Sequence, residues 1–252
     1  MNENNSVPVP AVAAKPELIS FDALLSASWK GYKRNFVNFL EMYLRGLIGL
    51  LPLLAVGILA AILFLWLNLD QFGLYILIGI LGVAAILWSI YYGVRAKIGS
   101  ILILKTEGVS VKENFEKSKS FFWAYLVVSV ATSILIFLAF LLLIVPGIIL
   151  AVFWAFVTIL VVLEDKKSVG EAIKRSKELV KGYWWPVFGR FLFIGLIAFL
   201  ISMVLSIPLS FFDESGKQVF SAVTNVFWAL VSPFFLVYSY LLYKDLDAKK
   251  KA

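Results

Sequence analysis

The sequence predicts an all-α membrane protein with six transmembrane helices, and three observations carry this prediction. Hydrophobic residues make up 62% of the 252-residue chain, and the mean hydropathy of +0.93 is far above that of soluble domains. Six apolar segments come close to the length of about 20 residues that a helix needs to cross a bilayer. Their apolar residues are continuous rather than alternating, which favours helices over the strands of a membrane barrel.

The six segments are joined in pairs by short connections. Their bounds are 47–69, 74–94, 121–145, 148–163, 186–209 and 219–243. The fourth segment is short, but it reaches a spanning length if it extends through Gly147 and Glu164. The short connections are 70–73, Pro146-Gly147 and 210–218. The sequence therefore predicts three transmembrane hairpins, with Pro146-Gly147 at the tip of the second. Pro52 and Pro233 are expected to kink the first and sixth helices.

The basic residues fix a predicted orientation. When the segments are laid out in alternating directions, 22 of the 23 Lys and Arg residues fall on one side, and Lys217 alone falls on the other. By the positive-inside rule, both termini and both long connections are cytoplasmic. We expect a multi-pass protein of the plasma membrane. Because this topology accounts for the pI of 9.4, the basic charge does not indicate nucleic-acid binding.

Composition divides the chain into three parts and excludes some chemistry. Residues 1–17 are polar and rich in Ala and Pro, which predicts a disordered cytoplasmic arm. Residues 18–244 form the transmembrane domain, and residues 245–252 form a basic cytoplasmic tail. The chain contains no cysteine and no histidine, so thiol and imidazole chemistry are excluded.

The long connections contain a threefold internal repeat. Three stretches align without gaps from Ser20, Ser110 and Ser168, and each has a second serine eight positions later. These second serines are Ser28, Ser118 and Ser176. Each stretch leads into a pair of apolar segments, which suggests three units. The alternative is that cytoplasmic linker helices resemble one another by chance.

Each repeat begins with the signature of a helix N-terminus. Ser110 with Glu113, and Ser168 with Glu171, match the Ser-x-x-Glu capping box. Beyond Ser168 the apolar residues recur at helical spacing, and basic residues occupy the other face. This pattern predicts that every hairpin is preceded by an amphipathic helix lying in the headgroup plane. The candidate contacts to anionic lipid headgroups are Lys174, Arg175, Lys177, Lys181, Lys117, Lys119, Lys33 and Arg34.

Four residues make up a candidate polar site within the membrane: Glu41, Arg45, Arg190 and Asn225. A charge at membrane depth is a functional candidate by default. The alternative is structural, because the three charged residues lie near the headgroup level, where long side chains reach the interface.

Several motifs resemble the membrane domain of glycerophosphoryl diester phosphodiesterase, a broad bacterial family with six spans. They are LIVPGIILAVFWAF at 143–156, VLED at 162–165, SVGEAIKRSKELVKGYW at 168–184 and ASWKGYKRNF at 27–36. The resemblance implies the six-span fold and the inner membrane of a prokaryote. It does not carry over the enzymatic activity, because the catalytic barrel and the histidines it uses are not present in this chain.

Three classes of function follow from these observations. The first is a non-catalytic membrane scaffold, anchor or factor that engages anionic lipids or a protein partner at the cytoplasmic face. The second is a transporter or channel for a lipid or small apolar solute, built from parallel repeats. The third, which we do not expect, is a membrane-embedded enzyme using Glu41, Glu164 or Asp165. No cofactor and no metal are expected.

Overall fold

The computed structural model describes residues 17–66, 71–106, 108–208 and 212–251, except for the side chains of 65, 66, 71 and 72. Over these ranges the chain forms ten α-helices and no strand, which confirms the all-α class. The predicted arm lies outside the described residues apart from Glu17, and so does Asp70 at the first predicted tip. Ser215-Gly216, the third predicted tip, lies in the first turn of the last helix, Glu214–Lys251.

Six helical stretches are long and apolar enough to cross a membrane. They are Phe21–Phe64, Gly73–Lys105, Val111–Leu142, Ile144–Leu163, Trp184–Ser206 and Glu214–Lys251. The number agrees with the six segments predicted from the sequence, and it indicates a multi-pass membrane protein.

Helical structure is continuous from the first predicted interfacial segment into the first span. Helix α1 covers Phe21–Leu47, a 3₁₀ turn follows at Ile48–Leu50, and α2 covers Leu51–Trp66. Pro52 stands directly after this turn, where the backbone hydrogen-bonding pattern changes. The separate interfacial helix predicted before the first hairpin is therefore not a separate element.

The next two stretches follow the same order. Helix α3 covers Gln71–Lys105. Helix α4 covers Val111–Lys117, a 3₁₀ turn follows at Ser118–Phe121, and α5 covers Phe122–Leu142.

The turn between α5 and the next helix lies at Leu143, not at Pro146-Gly147 as predicted. Leu143 is extended, with φ −157° and ψ 140°, and α6 begins immediately as Ile144–Phe153. Proline is compatible with the first turn of a helix, where its missing N–H needs no partner. A Cβ atom at Gly147 would come within 2.4 Å of the Phe140 ring, so a larger residue at this position would displace the ring or the backbone. The two residues therefore shape the start of α6 rather than the turn.

The fourth predicted segment is interrupted. After α6, the chain makes a turn over residues 154–156 before α7 covers Val157–Leu163. The Ser176 hydroxyl donates to the carbonyl of Phe153 at 2.7 Å and accepts from the N–H of Phe156 at 3.4 Å. Backbone groups freed by the break thus have a partner, which is what a helix interruption in an apolar setting requires.

Three further helices complete the described chain. Helix α8 covers Val169–Val180, α9 covers Trp184–Ser206, and α10 covers Glu214–Lys251. Gly182 has a positive φ of 87° and permits the turn from α8 into α9. Helix α10 continues through Pro233, and the carbonyl of Ala229 accepts a hydrogen bond from the Ser232 hydroxyl at 2.9 Å. This replaces the bond that the proline nitrogen cannot donate.

The packed core lies at one end of the bundle. We call it the basic end; it holds the start of α1, the ends of α3 and α10, and α8. In α9 the buried residues all fall between Val187 and Ile194, and in α10 none precedes Val237. The described part of α2 exposes large apolar side chains along its length. These outer portions therefore expose apolar surface suited to lipid.

Candidate functional site

Three serines cap helices at the basic end. The side chains of Ser20, Ser110 and Ser168 each accept a hydrogen bond from the backbone N–H three residues later, at 3.4, 3.2 and 3.2 Å. All three have the extended backbone of an N-cap residue. The serine half of both predicted capping boxes is therefore confirmed.

The second serine of each aligned stretch is fully buried. Ser28, Ser118 and Ser176 have no solvent exposure. Their hydroxyls donate to the carbonyls of Leu24 at 2.6 Å, Phe115 at 2.5 Å and Phe153 at 2.7 Å. The first two bonds are local, whereas Ser176 reaches a different helix.

Arg95 joins α3 to α4, and it was not among the residues predicted from the sequence. Its guanidinium donates to the carbonyl of Phe115 at 2.7 Å and to the hydroxyl of Ser118 at 3.2 Å, and it lies 4.1 Å from the centre of the Phe115 ring. The side chain is buried. Its place just beyond the second apolar segment was the available signal, because arginines at span ends often bond to neighbouring backbone.

Arg175 belongs to an ionic cluster rather than to the exposed face of α8. It forms a two-pronged pair with Glu164, at 2.8 and 3.0 Å, and a second pair with Asp247 at 2.6 Å. The Tyr243 hydroxyl also donates to Glu164 at 2.9 Å. The hydrogen bond to Glu164 raises the pKa of Arg175 above its ordinary value. The prediction that Arg175 serves lipid headgroups is corrected, because these carboxylates occupy its guanidinium.

Arg190 and Asp245 join the two ends of the chain. Asp245 accepts from the backbone N–H of Ile19 at 2.8 Å, and Arg190 donates to the carbonyl of Ile19. Arg190 also donates to the carbonyl of Pro186 at 2.9 Å, and the Tyr238 hydroxyl donates to the carbonyl of Arg190 at 3.0 Å. The guanidinium of Arg190 is therefore bonded to backbone carbonyls, which indicates a structural role.

The four residues of the predicted intramembrane polar site do not form one site. Glu41 pairs with Arg45 on the same helix at 2.7 Å. Arg190 is held by Ile19 and Pro186, and Asn225 is exposed on α10. The prediction grouped them only because they are polar residues in or next to the apolar segments.

The carboxylates named for the enzyme alternative, which we do not expect, also have separate partners. Glu164 is bound by Arg175 and Tyr243, and Asp165 pairs with its neighbour Lys167 at 3.2 Å. Among the described residues, no group of acidic side chains has the arrangement of a metal site.

Helix α8 has an apolar side and a basic side, and other helices of the protein cover the apolar side. Ala172, Leu179 and Val180 are fully buried against other helices. Helices α5, α6, α7 and α10 supply the surface that buries this side, so of the two predicted surroundings, lipid or the bundle, it has the bundle. The remaining candidate lipid contacts lie on exposed surface: Lys174, Lys177, Lys181, Lys117, Lys119, Lys33 and Arg34.

A cavity of about 880 Å³ opens at the basic end between α1, the end of α3 and α10. Its basic lining residues are Lys30, Arg34 and Lys244. Its other polar lining residues are Asn35, Asn38, Thr106, Ser110 and Tyr240. Lys33 and Arg34 were predicted as surface contacts, but only Arg34 borders the cavity. A smaller cavity of about 430 Å³ lies beside it and shares Tyr240 and Lys244.

A wide gap in sequence separates the residues that the cavity brings together. Lys30 and Lys244 stand near opposite ends of the chain. The nearest sequence signal was the basic stretch 30–34 in the first repeat, of which Lys33 and Arg34 were predicted as lipid contacts.

Comparison with known families gives one match that covers most of the chain. The matching model is described as "Domain of unknown function (DUF7847)", and it spans residues 42–246. The comparisons with curated proteins and with solved structures gave no match. The family match brings no link to the glycerophosphoryl diester phosphodiesterase membrane domain, so that resemblance remains an expectation from the motifs. Because the match covers well over half of the sequence, this chain belongs to the DUF7847 family of domains of unknown function.

Proposed function

We propose that this protein is a non-catalytic integral membrane protein whose basic end engages anionic lipid headgroups. The observation that carries the proposal is that α8 has a buried apolar side and an exposed basic side. Its apolar side is buried in the protein, while Lys174, Lys177 and Lys181 are exposed on the opposite side. A helix held rigidly in this way presents its lysines without a further folding cost.

The position of α8 supports contact with the headgroup layer. Helix α8 packs against the side of α6 and α7. The Ser176 hydroxyl donates to the carbonyl of Phe153, and the indole N–H of Trp184, which follows α8, donates to the carbonyl of Ile149 at 3.4 Å. Because α8 lies beside the span formed by α6 and α7, and not beyond the end of that span, its exposed face is at the depth of the headgroup layer in this proposal. Basic residues near an anionic surface contribute roughly 1 kcal/mol each.

The proposal includes the orientation of the protein in the membrane. Both termini lie in the cytoplasm, and the membrane is the inner membrane of a prokaryote. The distribution of 22 of 23 basic residues on one predicted side supports this orientation. A cytoplasmic leaflet rich in anionic lipid then faces the lysines of α8. A protein partner at this face and the six-span resemblance are compatible with the same arrangement.

The fold is proposed to consist of three hairpin units arranged in a ring. Two sets of facts support this: the three serine caps, and the bonds that join the end of one predicted unit to the start of the next. Arg95 contacts α4, Glu164 contacts α8, and Asp245 contacts the residue before the cap of α1. Each unit is thereby tied to its successor, and the third is tied to the first.

Thermal unfolding in lipid nanodiscs tests the function. Discs of phosphatidylcholine are compared with discs that also contain phosphatidylglycerol. The anionic discs are expected to raise the unfolding temperature, and neutralising Lys174, Lys177 and Lys181 together to Gln is expected to remove most of the increase. Lys217→Gln at the opposite end is the matched control. If the triple variant keeps the full increase, the proposed role of α8 is wrong.

Transport is the second candidate, and the cavity is the observation that favours it. It lies between helices of the first and third predicted units, where a pathway between repeats would run. In proteoliposomes containing a fluorescent phospholipid, a transporter of this kind would make the inner-leaflet dye accessible to an external quencher. Protein-dependent loss of the protected fraction would favour this function over the non-catalytic one.

A further inference from the structure

We propose that α10 binds α10 of a second copy of this chain through the side chain of Asn225. Asn225 follows Glu214, the first residue of α10, by 11 residues, which places it about 16 Å along the helix from that end. Its side chain is exposed on the outer portion of the last candidate span. The surface shares no residue with α8, so this inference goes beyond the proposed function and can fail independently of it.

The amide of Asn225 makes no hydrogen bond to another residue in the described part of the chain. Several hydroxyl groups in the spans behave differently. Thr132, Ser202 and Thr224 each donate to a carbonyl four residues earlier in the same helix. The amide offers two donors and an acceptor, and lipid tails can satisfy none of them. A partner that supplies an amide at the same depth therefore stabilises the chain in a bilayer.

Asn225 is the central member of a row of small and polar residues along α10, which we call the Asn225 face. The row has the heptad spacing of paired helices, with alternate steps of four and three residues. Its members are Gln218, Ala222, Asn225, Ala229 and Ser232. Four of them are exposed and Ala229 is partly exposed, so the described helices of the same chain leave this face largely open. Small residues permit two helices to approach closely enough for side-chain amides to meet.

A second copy is the occupant that fits the Asn225 face. Copies inserted in one orientation bring their α10 helices together in parallel about a twofold axis, and each Asn225 then meets the Asn225 of the other copy. The side-chain amide is self-complementary, because its N–H group donates to the oxygen of the other amide and its own oxygen accepts in return. A single asparagine at such a position favours paired helices in register. The face ends before Leu236, the next position in the spacing, because Leu236 packs in its own chain against the cluster that contains Ile98.

Association is measured by energy transfer between donor-labelled and acceptor-labelled copies of the full chain. The copies are reconstituted in liposomes of phosphatidylcholine and phosphatidylglycerol over a series of protein-to-lipid ratios. We expect the wild-type chain to dimerise and Asn225→Leu to weaken association about fivefold or more, whereas Asn225→Gln keeps an amide and should retain it. Ser202→Leu is the matched control, since it removes an exposed hydroxyl that is already bonded within its own helix. Each variant is first checked for the wild-type unfolding temperature.

Single cysteines map the face in the same liposomes, because the chain has none of its own. Ala222→Cys should form an oxidative dimer. Val223→Cys should not, because Val223 lies at almost the same depth and is 59% exposed but points to a different side of α10. The proposal is overturned if the wild-type chain stays monomeric at every ratio, if Asn225→Leu associates as well as the wild type, or if both cysteines crosslink equally. A chain that is monomeric in liposomes but crosslinks to another protein in native membranes has a different partner, and this result also overturns the pairing of two copies.

Discussion

The carboxylate of Asp245, seven residues before the end of the chain, accepts a hydrogen bond from the backbone N–H of Ile19 at 2.8 Å. Ile19 directly precedes Ser20, the N-cap of α1. This bond ties the last helix to the first, and Arg190 reinforces it by donating to the carbonyl of the same residue. The basic end is therefore closed by polar contacts between the two ends of the sequence.

The contact between the last helix and the start of the first helix at the basic end can be tested by crosslinking. Because the chain has no cysteine, the pair Ile19→Cys and Asp245→Cys introduces the only thiols. We expect a short bismaleimide to crosslink this pair within one chain and to change its mobility on a denaturing gel. The pair Ile19→Cys and Asp213→Cys is the control, since Asp213 precedes α10 at its far end. Equal crosslinking of both pairs would contradict the closed arrangement.

Ser176 is expected to be the most sensitive of the three buried serines. Ser176→Ala leaves the carbonyl of Phe153 and the N–H of Phe156 without their partner at the break between α6 and α7. A buried group left unsatisfied costs about 1–3 kcal/mol, so the unfolding temperature in detergent should fall. Ser120→Ala removes an exposed local bond to the carbonyl of Lys117 and should have little effect. An equal effect of the two changes would argue against this role.

Gly147→Ala should destabilise the turn into α6. The added methyl would overlap the Phe140 ring at 2.4 Å, so the ring or the start of α6 must shift, and such overpacking typically costs about 1–3 kcal/mol. Gly82→Ala in α3 meets nothing within 4 Å and should be neutral or stabilising by up to about 1 kcal/mol. Thermal unfolding of both variants measures the difference. A stable Gly147→Ala protein would mean that the Phe140 contact is loose.

Arg175 should not be replaceable by lysine. Its planar guanidinium bonds to both oxygens of Glu164 and also to Asp247, whereas an ammonium cannot match this fork. Arg175→Lys should lower stability, and Arg175→Gln should lower it further because Glu164 then loses its counter-charge and Asp247 keeps only its pair with Lys251. The exposed neighbour provides the control, Lys174→Gln. Chemical unfolding in mild detergent measures the order, and equal stability of all three variants would disprove the cluster's role.

The orientation is tested with single thiols. We expect Lys174→Cys to react with an impermeant maleimide only from the cytoplasmic side, and Ser215→Cys only from the outside. The reason is the one-sided distribution of basic residues. Labelling intact and opened cells with the same reagent distinguishes the two sides. The reverse labelling pattern would invert the topology.

Local features of the sequence predicted part of this structure well. Ser110 and Ser168 cap their helices as expected, because a cap depends on residues within one turn. The apolar segments predicted the candidate spans because hydropathy, like capping, depends on residues that are close in the sequence. Pro146-Gly147 misled the prediction, since a proline suits the first turn of a helix as well as a tight reversal, and Gly147 stands there because of the nearby Phe140 ring.

The sequence by itself determined the all-α class, the six apolar stretches and the three serine-capped helix starts, because hydropathy and capping are properties of neighbouring residues. Tertiary structure alone decided what covers α8 and which cations share a cavity. Arg175 looked like its lysine neighbours until Glu164 and Asp247 were brought to it from other helices. Lys30 and Lys244 line one space only because α1 and α10 pack together at Gly31. Such contacts depend on the packing of distant segments, which local sequence patterns do not encode.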